Sequence, residues 1–343
     1  MKCSRRRGIQ ALTLGIPLSL LAAVLAFIVG SVQAESLRPS GFGLEQNRLV
    51  SPQASINYPA KFIGQDHVDL KWEPDPYYPV WIVYRDNVEL VRLGLAVTFY
   101  RDRSVAKDQA YQYKICGERD AVQLCGLPNT VTVGQIRGLL YEYLSWAGDT
   151  YRLSGEITVQ PGATLSIGGG ATVVGAWDAE IRDYDPVGGT LGAIQVDGAT
   201  IQARLALRNG SSWVEGSTIG GDAPGWVDLS AWGGAALSGN TFASSGAVDI
   251  YAAPGQEVQV HDNTFTAARL HAAGEGKVIV HGNRFEQGST AQVEGTVTGA
   301  ISGNTFFDSK ILANSTGYFD IANNRLRLLD QNTAGAATLV TVS

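Results

Sequence analysis

Sulfur-containing residues and histidine are scarce in this 343-residue chain, which has one methionine, three cysteines and four histidines. So few cysteines exclude a thiolate zinc finger, an iron–sulfur protein and a disulfide-dense scaffold. Four histidines leave little for a histidine-rich metal site, and we predict neither a metal nor a cofactor. Charged residues are only 17% of the chain and the net charge is −6, which argues against nucleic acid as a partner.

Glycine, by contrast, is in excess. It accounts for 41 of 343 residues, which is about 12% where ~7% is usual. No Gly-X-Y period accompanies it, so collagen is excluded. Hydrophobic residues, at 45%, suffice for a core. This composition favours a glycine-rich, turn-rich, all-β protein.

The N-terminal segment has the three parts of a secretory signal peptide. Residues 2–7 contain four basic side chains, residues 8–30 carry no charge, and residues 32–34 form a small-x-small cleavage site. We therefore predict a signal peptide over residues 1–34, a linker over residues 35–50, and export from a bacterial cell to its surface or surroundings. An uncleaved membrane anchor is the alternative, and only then do we expect the membrane as a partner.

Residues 51–134 contain short runs in which apolar and polar residues alternate. The period of 2 is visible in Val68–Trp72, Trp81–Val83 and Tyr111–Ile115, and turn-forming clusters separate these runs. Half-buried strands need that period, and short strands at this spacing are typical of an antiparallel β-sandwich. Cys116 and Cys125, the two cysteines left after cleavage, are expected to pair in an oxidising compartment.

The same segment resembles a fibronectin type III domain over about 80 residues. Four runs are similar to that family's second, third, sixth and last strands: Val68–Trp72, Trp81–Asp86, Tyr111–Ile115 and Asn129–Val133. The resemblance implies that Cys116 and Cys125 clamp the last hairpin. It also implies a spacer role, as is usual for such domains in exported bacterial proteins.

A repeat runs through the C-terminal part of the chain. Five asparagines are separated by 23, 20, 21 and 20 residues, and each is followed two positions later by an apolar ring or leucine: Asn240, Asn263, Asn283, Asn304 and Asn324. This period fits one coil of a parallel β-helix, whereas the leucine pattern of a leucine-rich repeat is missing. The asparagine should tolerate a left-handed turn and bond to its neighbours above and below, while the phenylalanines stack inside.

The start of this region resembles the opening coils of bacterial right-handed β-helix proteins, in the run Gly155–Leu165. We predict such a β-helix, of about seven coils, over residues 135–343. That group includes pectate lyases, other polysaccharide lyases and hydrolases, adhesins and proteins without known activity. The resemblance therefore implies the fold and no single function.

Aligning the coils predicts which side chains one exposed sheet presents. The first outward row is Asp228, Asp249, Arg269, Gln292 and Lys310, and the second is Ser230, Tyr251, His271 and Glu294. Stacked strands lie ~4.8 Å apart, so Asp249, Tyr251, Arg269, His271 and Glu294 are expected to share one polar patch.

This patch is compatible with cleavage of a uronate-containing glycan. In a lyase, Arg269 or His271 would be the base or would neutralise the substrate carboxylate, with Tyr251 as acid. In a hydrolase, Asp249 and Glu294 are the nearest carboxylate pair. The simpler interpretation is an ordinary cross-strand ion pair between Asp249 and Arg269. No catalytic motif of a known family is present.

Two further groups have alternative interpretations. His261 and His281 occupy equivalent positions and would bind a metal or serve only as polar turn residues, as Ser238 and Ser302 do in neighbouring coils. Five aromatic residues would form the walls of a glycan site or cover the open end of the β-helix: Trp177, Tyr184, Trp213, Trp226 and Trp232.

The sequence thus predicts an exported binding or adhesion protein that recognises an extracellular polysaccharide without catalysis. The alternative is a polysaccharide lyase or glycoside hydrolase acting on the exposed face of the β-helix. An enzyme should show converging ionisable side chains with a basic residue facing acidic ones. A binding module should show aromatic residues in a cleft without that cluster.

Overall fold

The computed structural model of the chain describes residues 60–176, 178–184, 189, 192–231, 236–327 and 340–342. Every regular element in these ranges is a β-strand, and the strands are numbered β1 to β35 in chain order. No helix in the described ranges is long and apolar enough to cross a membrane. The predicted signal peptide and linker lie outside the described residues.

Eight strands between residues 60 and 132 form antiparallel sheets. They are β1 Ala60–Ile63, β2 Val68–Lys71, β3 Val80–Arg85, β4 Val88–Gly94, β5 Phe99–Asp102, β6 Ala110–Arg119, β7 Val122–Cys125 and β8 Asn129–Thr132. One sheet has the order β1-β2-β5. In the other, β3 lies between β4 and β6, and β6 also pairs with β7 and β8.

The alternate residues of these strands share one hydrophobic core. Leu70 and Trp72 lie in it together with Trp81, Val83 and Tyr113, all of them buried. The Trp72 and Trp81 rings are 6.1 Å apart. The strands that the period of 2 predicts are therefore present, while the fibronectin type III assignment stays a prediction.

A disulfide joins Cys116 to Cys125, as predicted, with an S–S distance of 2.01 Å. The two cysteines are directly opposite each other in the β6–β7 pairing. The bond therefore closes the hairpin that β6 and β7 form.

Three parallel ladders of strands form a β-helix over the rest of the chain. Ladder 1 contains β10 Leu144–Ala147, β12 Thr164–Gly168, β15 Ala193–Asp197, β18 Trp213–Glu215, β21 Ala236–Ser238, β24 Glu257–His261, β27 Lys277–His281, β30 Thr298–Ser302 and β33 Phe319–Ala322. Its nine strands within the described residues are separated by eight turns of the chain. The predicted number of about seven was too low, because the first coils lack the asparagine that marks the later ones.

Ladders 2 and 3 complete each coil. Ladder 2 contains β13 Thr172–Gly175, β16 Thr200–Gln202, β19 Thr218–Ile219, β22 Thr241–Phe242, β25 Thr264–Thr266, β28 Arg284–Glu286, β31 Thr305–Phe307 and β34 Arg325–Arg327. Ladder 3 contains β9 Ile136–Leu140, β14 Glu180–Arg182, β17 Arg204–Leu207, β20 Gly225–Ala231, β23 Gly246–Ala252, β26 Arg269–Gly274, β29 Thr290–Gly295, β32 Lys310–Ser315 and β35 Val340–Val342. The long strand β11 Thr150–Val159 pairs with β13 at its start and with β9 and β14 at its end, so it contributes to both ladders.

The repeated asparagines form a buried ladder at the turn between ladders 1 and 2. The Asn263 side-chain amide donates to Leu237 O at 3.1 Å and to Asn283 Oδ1 at 3.0 Å, and the backbone N–H of Asn263 also donates to Asn283 Oδ1 at 2.9 Å. Beside this ladder, the rings of Phe242, Phe265, Phe285 and Phe306 stack at 4.5–4.6 Å. The predicted bonding and stacking are confirmed.

The predicted left-handed backbone at the asparagine itself was wrong. The residue before each asparagine adopts it instead: φ is 64° at Gly239, 57° at Asp262 and Asn323, and 67° at Gly282 and Gly303. The asparagine is needed for its amide group, because that group satisfies backbone carbonyls and N–H groups shielded from water.

The antiparallel segment continues directly into the β-helix. Strand β1 pairs with β9, with Phe62 opposite Gly138, and β9 in turn pairs with β11. Gly138 has φ of +114°, and a Cβ atom there would collide with the carbonyl oxygen of Lys61. Only glycine allows the two backbones to approach this closely.

Candidate functional site

The outer face of ladder 3 carries the charged side chains that the sequence singles out. In β23, β26 and β29 alternate residues point into the core, among them Val248, Leu270 and Val293, which are fully buried. The intervening positions must then face solvent. They place Asp249, Arg269, His271 and Glu294, here called the ionic patch, on three successive coils.

The register within the ionic patch differs from the predicted one. Asp249 lies opposite His271, and Arg269 lies opposite Ala247. Ala268, Leu270 and Ala272 are all buried. The alternation of buried and exposed residues therefore does not show which two of these three lie opposite the inward residues of β23. The outward row through Asp249 is therefore Asp249, His271, Gln292 and Leu312.

His271 lies between two carboxylates. Its Nε2 is 2.6 Å from Glu294 Oε1, and its Nδ1 is 3.3 Å from Asp249 Oδ1. Arg269 Nη2 donates to the same Asp249 Oδ1 at 2.9 Å. A carboxylate only accepts, so His271 Nε2 donates a hydrogen bond to Glu294, while the 3.3 Å contact at Nδ1 places the Asp249 carboxylate beside the same ring.

The ionic patch is accessible and electrostatically coupled. Its four side chains are 23–47% exposed. The hydrogen bond from His271, and then the charge of His271, lower the pKa of Glu294, with smaller contributions from Gln292 and Arg269. Glu294 is thus held as a carboxylate, which can accept a proton but is a poor general acid.

Two exposed aromatic side chains flank the ionic patch. Trp226 in β20 is 40% exposed, and the guanidinium carbon of Arg269 is 5.7 Å from its ring centroid. Tyr251 is 52% exposed and follows Asp249 by two residues on the same face of β23. Opposite Tyr251 stands the small Ala273. The surface between Tyr251 and the next coil is therefore not filled by a large side chain.

A shallow groove of about 510 Å³ continues from the ionic patch. Arg269, Gln292 and Lys310 line it, together with small residues of the preceding turns. Lys310 is opposite Thr290, which is opposite Arg269, so two cations border the groove two strands apart. Sequence reasoning did not find this groove, because the turns that bound it contribute mainly backbone and alanine.

Two other predicted aromatic residues, Trp213 and Tyr184, lie outside the strands of the ionic patch. Trp213 belongs to ladder 1, opposite Gln195 and Ala236. The guanidinium carbons of Arg182 and Arg208 lie 5.5 and 3.5 Å from the Tyr184 ring centroid. Trp177 and Trp232 lie outside the described residues.

His261 and His281 stack in ladder 1, with ring centroids 5.3 Å apart. Ser238 and Ser302 precede and follow them in the same row. His261 Nδ1 is also 3.0 Å from Asp262 Oδ2. Within the described ranges, no group of three or more histidine, cysteine, aspartate or glutamate side chains is placed to hold a metal ion.

The chain is similar, at very low identity, to the solved structures of an exopolygalacturonase and of pectate lyases. A Family 28 exopolygalacturonase of Yersinia enterocolitica is 9% identical, with a TM-score of 0.35, over 81% of this chain and 87% of that one. A pectate lyase of Pectobacterium carotovorum is 11% identical, with a TM-score of 0.21, over 75% and 91%. A pectate lyase of Erwinia chrysanthemi is 12% identical, with a TM-score of 0.21, over 77% and 100%.

No protein-family model matches the sequence, and no curated protein matches it. The site must therefore be interpreted from its own residues.

Proposed function

We propose that this chain is an extracellular polysaccharide lyase that acts on a uronate-containing glycan across the outer face of ladder 3. The observation that carries the proposal is the ionic patch, in which Arg269 and His271 face Asp249 and Glu294. Converging acids and bases on an exposed sheet distinguish an enzyme from a plain binding surface.

A lyase fits the ionic patch better than a hydrolase does. A hydrolase needs one carboxylic acid whose pKa is raised so that it can protonate the leaving oxygen. The pKa of Glu294 is instead lowered by His271. A lyase needs positive charge to neutralise the substrate carboxylate and an unprotonated group to act as base.

The proposed reaction is a β-elimination. Arg269 and His271 neutralise the uronate carboxylate, and Glu294 accepts the proton on the carbon next to it. The electron pair of that C–H bond becomes the new carbon–carbon double bond, and the bond to the glycosidic oxygen breaks. Tyr251, which lies opposite Ala273 in the pairing of β23 with β26, gives its phenolic proton to the leaving oxygen. Two chain ends result, one of them unsaturated.

Binding without turnover is the second candidate. It is favoured by the mutual pairing of all four charged side chains, which is also the ordinary arrangement of an exposed sheet. Trp226 and Tyr251 would then hold the glycan by stacking on its rings.

The N-terminal part of the chain has a supporting role in this proposal. The signal peptide would export the protein, and residues 51–134 would be a fibronectin type III-like spacer. The strand orders β1-β2-β5 and β4-β3-β6 around the buried Trp72 and Trp81 support that assignment.

The experiment is an assay for unsaturated products and new reducing ends on polygalacturonate, alginate and glucuronoxylan. We expect Arg269→Ala and His271→Ala each to lower the rate at least about 100-fold, in the range of lost acid–base or charge-stabilising groups. The matched control is Lys277→Ala, which breaks a 2.8 Å cross-strand ion pair with Glu257 on ladder 1 and should leave the rate unchanged.

Two outcomes would contradict the lyase proposal. Binding of an acidic glycan without any product would establish the second candidate instead. Products that form at an undiminished rate in Arg269→Ala would place the reaction away from the ionic patch.

A further inference from the structure

A second polar cleft lies where the antiparallel segment meets the first coils of the β-helix. This junction cleft has a volume of about 380 Å³, within the usual size of small-molecule sites. Gln65, Asp66, His67 and Arg103 line it from the antiparallel segment, and Tyr143 and Asp149 line it from the β-helix. It is formed by other elements than the ionic patch, which lies on β23, β26 and β29.

Two polar atoms in the wall of the junction cleft lack partners. Oε1 of Gln65 and Nε2 of His67 are shielded from solvent and form no hydrogen bond with the described residues. Their other polar atoms are engaged, since Gln65 Nε2 donates to Asp149 at 2.6 Å and His67 Nδ1 is 2.7 Å from Asp66. Shielded polar atoms without partners cost free energy, which a ligand that pairs with them would recover.

The kind of unpaired atom indicates the chemistry of that ligand. The Gln65 oxygen only accepts hydrogen bonds, so it needs a donor, which an ionised carboxylate or a fully ionised phosphate does not supply. A hydroxyl group both donates and accepts, so it suits the amide oxygen and either tautomer of the histidine. The junction cleft therefore matches a ligand rich in hydroxyl groups better than an anion.

The charged side chains around the junction cleft also favour a ligand rich in hydroxyl groups over an anion. Arg103 is exposed and forms no ion pair with a described residue, whereas Arg101 is already paired with Asp69 and Glu142. The carboxylates of Asp66 and Asp149 offset the one unpaired cation. Planar carboxylate, amide and guanidinium groups can each pair with hydroxyls on neighbouring carbons.

An exposed aromatic ring completes the junction cleft. Tyr143 is 64% exposed. Behind it, Trp146 and Tyr151 are buried and stack at 4.6 Å, which gives the wall a rigid base. An exposed tyrosine beside converging polar groups offers an apolar face to a sugar ring and partners to its hydroxyls.

We propose that the junction cleft is a second carbohydrate-binding site that holds an uncharged sugar unit of a glycan. It does not depend on turnover at the ionic patch. A neutral unit bound here and a uronate on ladder 3 would let the chain engage a mixed polysaccharide at two places.

The test is electrophoresis of the full chain through native gels that contain hydroxyethylcellulose, arabinoxylan or galactomannan, with polygalacturonate gels alongside. We expect at least one neutral polysaccharide to retard the protein. Tyr143→Ala and Arg103→Ala should each weaken this binding about tenfold, the equivalent of one good contact. Both side chains are exposed, so neither substitution should disturb folding.

Two control variants separate this proposal from the lyase proposal. Tyr318→Ala removes a tyrosine that is 83% exposed at another place, and Arg269→Ala alters the ionic patch and the groove beside it on ladder 3. Both should retain wild-type retardation by the neutral polysaccharide. The proposal is overturned if none of the three neutral polysaccharides retards the protein, or if retardation survives in Tyr143→Ala and Arg103→Ala.

Discussion

At the scale of single residues, the asparagine ladder is the clearest case of a side chain that replaces backbone pairing. Asn263 is 1% exposed. Its Oδ1 accepts the backbone N–H of Asn240 at 2.9 Å, and its amide group donates to the carbonyls of Leu237 and His261. The turn between ladders 1 and 2 has no strand to provide these partners, so each coil depends on the amide of the next.

Replacing Asn263 by alanine should therefore lower the free energy of unfolding by about 2–3 kcal/mol, because buried backbone groups lose their partners. Urea unfolding monitored by circular dichroism measures the effect. Gln259→Ala, which removes an exposed amide of the same coil that donates to Glu257, should change stability by less than about 0.5 kcal/mol. Equal midpoints for the two variants would contradict the role given to the ladder.

At the scale of elements, strand β7 is held against β6 by a covalent bond more than by its packing. Val122 is 71% exposed, and the β7 burial pattern shows no buried residue. The bond between Cys116 and Cys125 closes a loop with a sequence separation of 9. A short exposed strand such as β7 gains little from the hydrophobic effect, so constraint of the unfolded chain matters more.

The double variant Cys116→Ala/Cys125→Ser should lower the free energy of unfolding by about 2–3 kcal/mol, as expected for a loop of this length. Its thermal midpoint should fall, and amide exchange should accelerate first in β7. Reduction of the wild-type protein under native conditions should reproduce the same shift. If the backbone amides of β7 exchange as slowly after reduction as before it, packing and not the disulfide stabilises the hairpin.

At the scale of the whole molecule, the antiparallel segment and the β-helix depend on one close backbone contact. Gly138 lies opposite Phe62, and the space for a side chain is already occupied by the Lys61 carbonyl. The junction cleft is bordered by residues from both sides of this contact. A larger residue at position 138 should thus separate β1 from β9 and disturb the cleft.

Gly138→Ala should lower the free energy of unfolding by more than about 2 kcal/mol, the range of substitutions that add steric overlap to backbone strain. Gly162→Ala is the matched control, since Gly162 has φ of +80° with open space around it. That control should cost only about 1 kcal/mol. Thermal unfolding and limited proteolysis between the two parts of the chain measure both. Similar losses of stability in the two variants would mean that backbone strain at a positive φ, and not the steric overlap at position 138, accounts for the effect.

Local patterns predicted the elements well, and the site only in part. The period of 2 identified the strands around Trp72 and Trp81, and the asparagine spacing identified the coils after residue 238. The ionic patch was also predicted, but with Arg269 opposite Asp249. In the structure His271 occupies that position instead. Three alternate apolar residues, Ala268 just before β26 and Leu270 and Ala272 within it, made two registers equally compatible with the sequence.

The junction cleft could not be predicted at all. Gln65 and Asp149 are 84 residues apart and meet through a 2.6 Å hydrogen bond. Neither carries a motif, and each taken alone is an ordinary polar loop residue. Their meeting depends on how β1 pairs with β9, which no local pattern encodes.

The all-β class, the solenoid repeat and the cysteine pair follow from the order of amino acids alone, because strand periodicity and repeat length are local properties of the chain. The folded chain is needed to show which charged residues face one another, that Trp226 lies beside Arg269, and that a polar cleft opens at the junction. These features depend on the register between coils. A shift of two residues between coils leaves every apolar position buried, yet it changes every neighbour on the outer face.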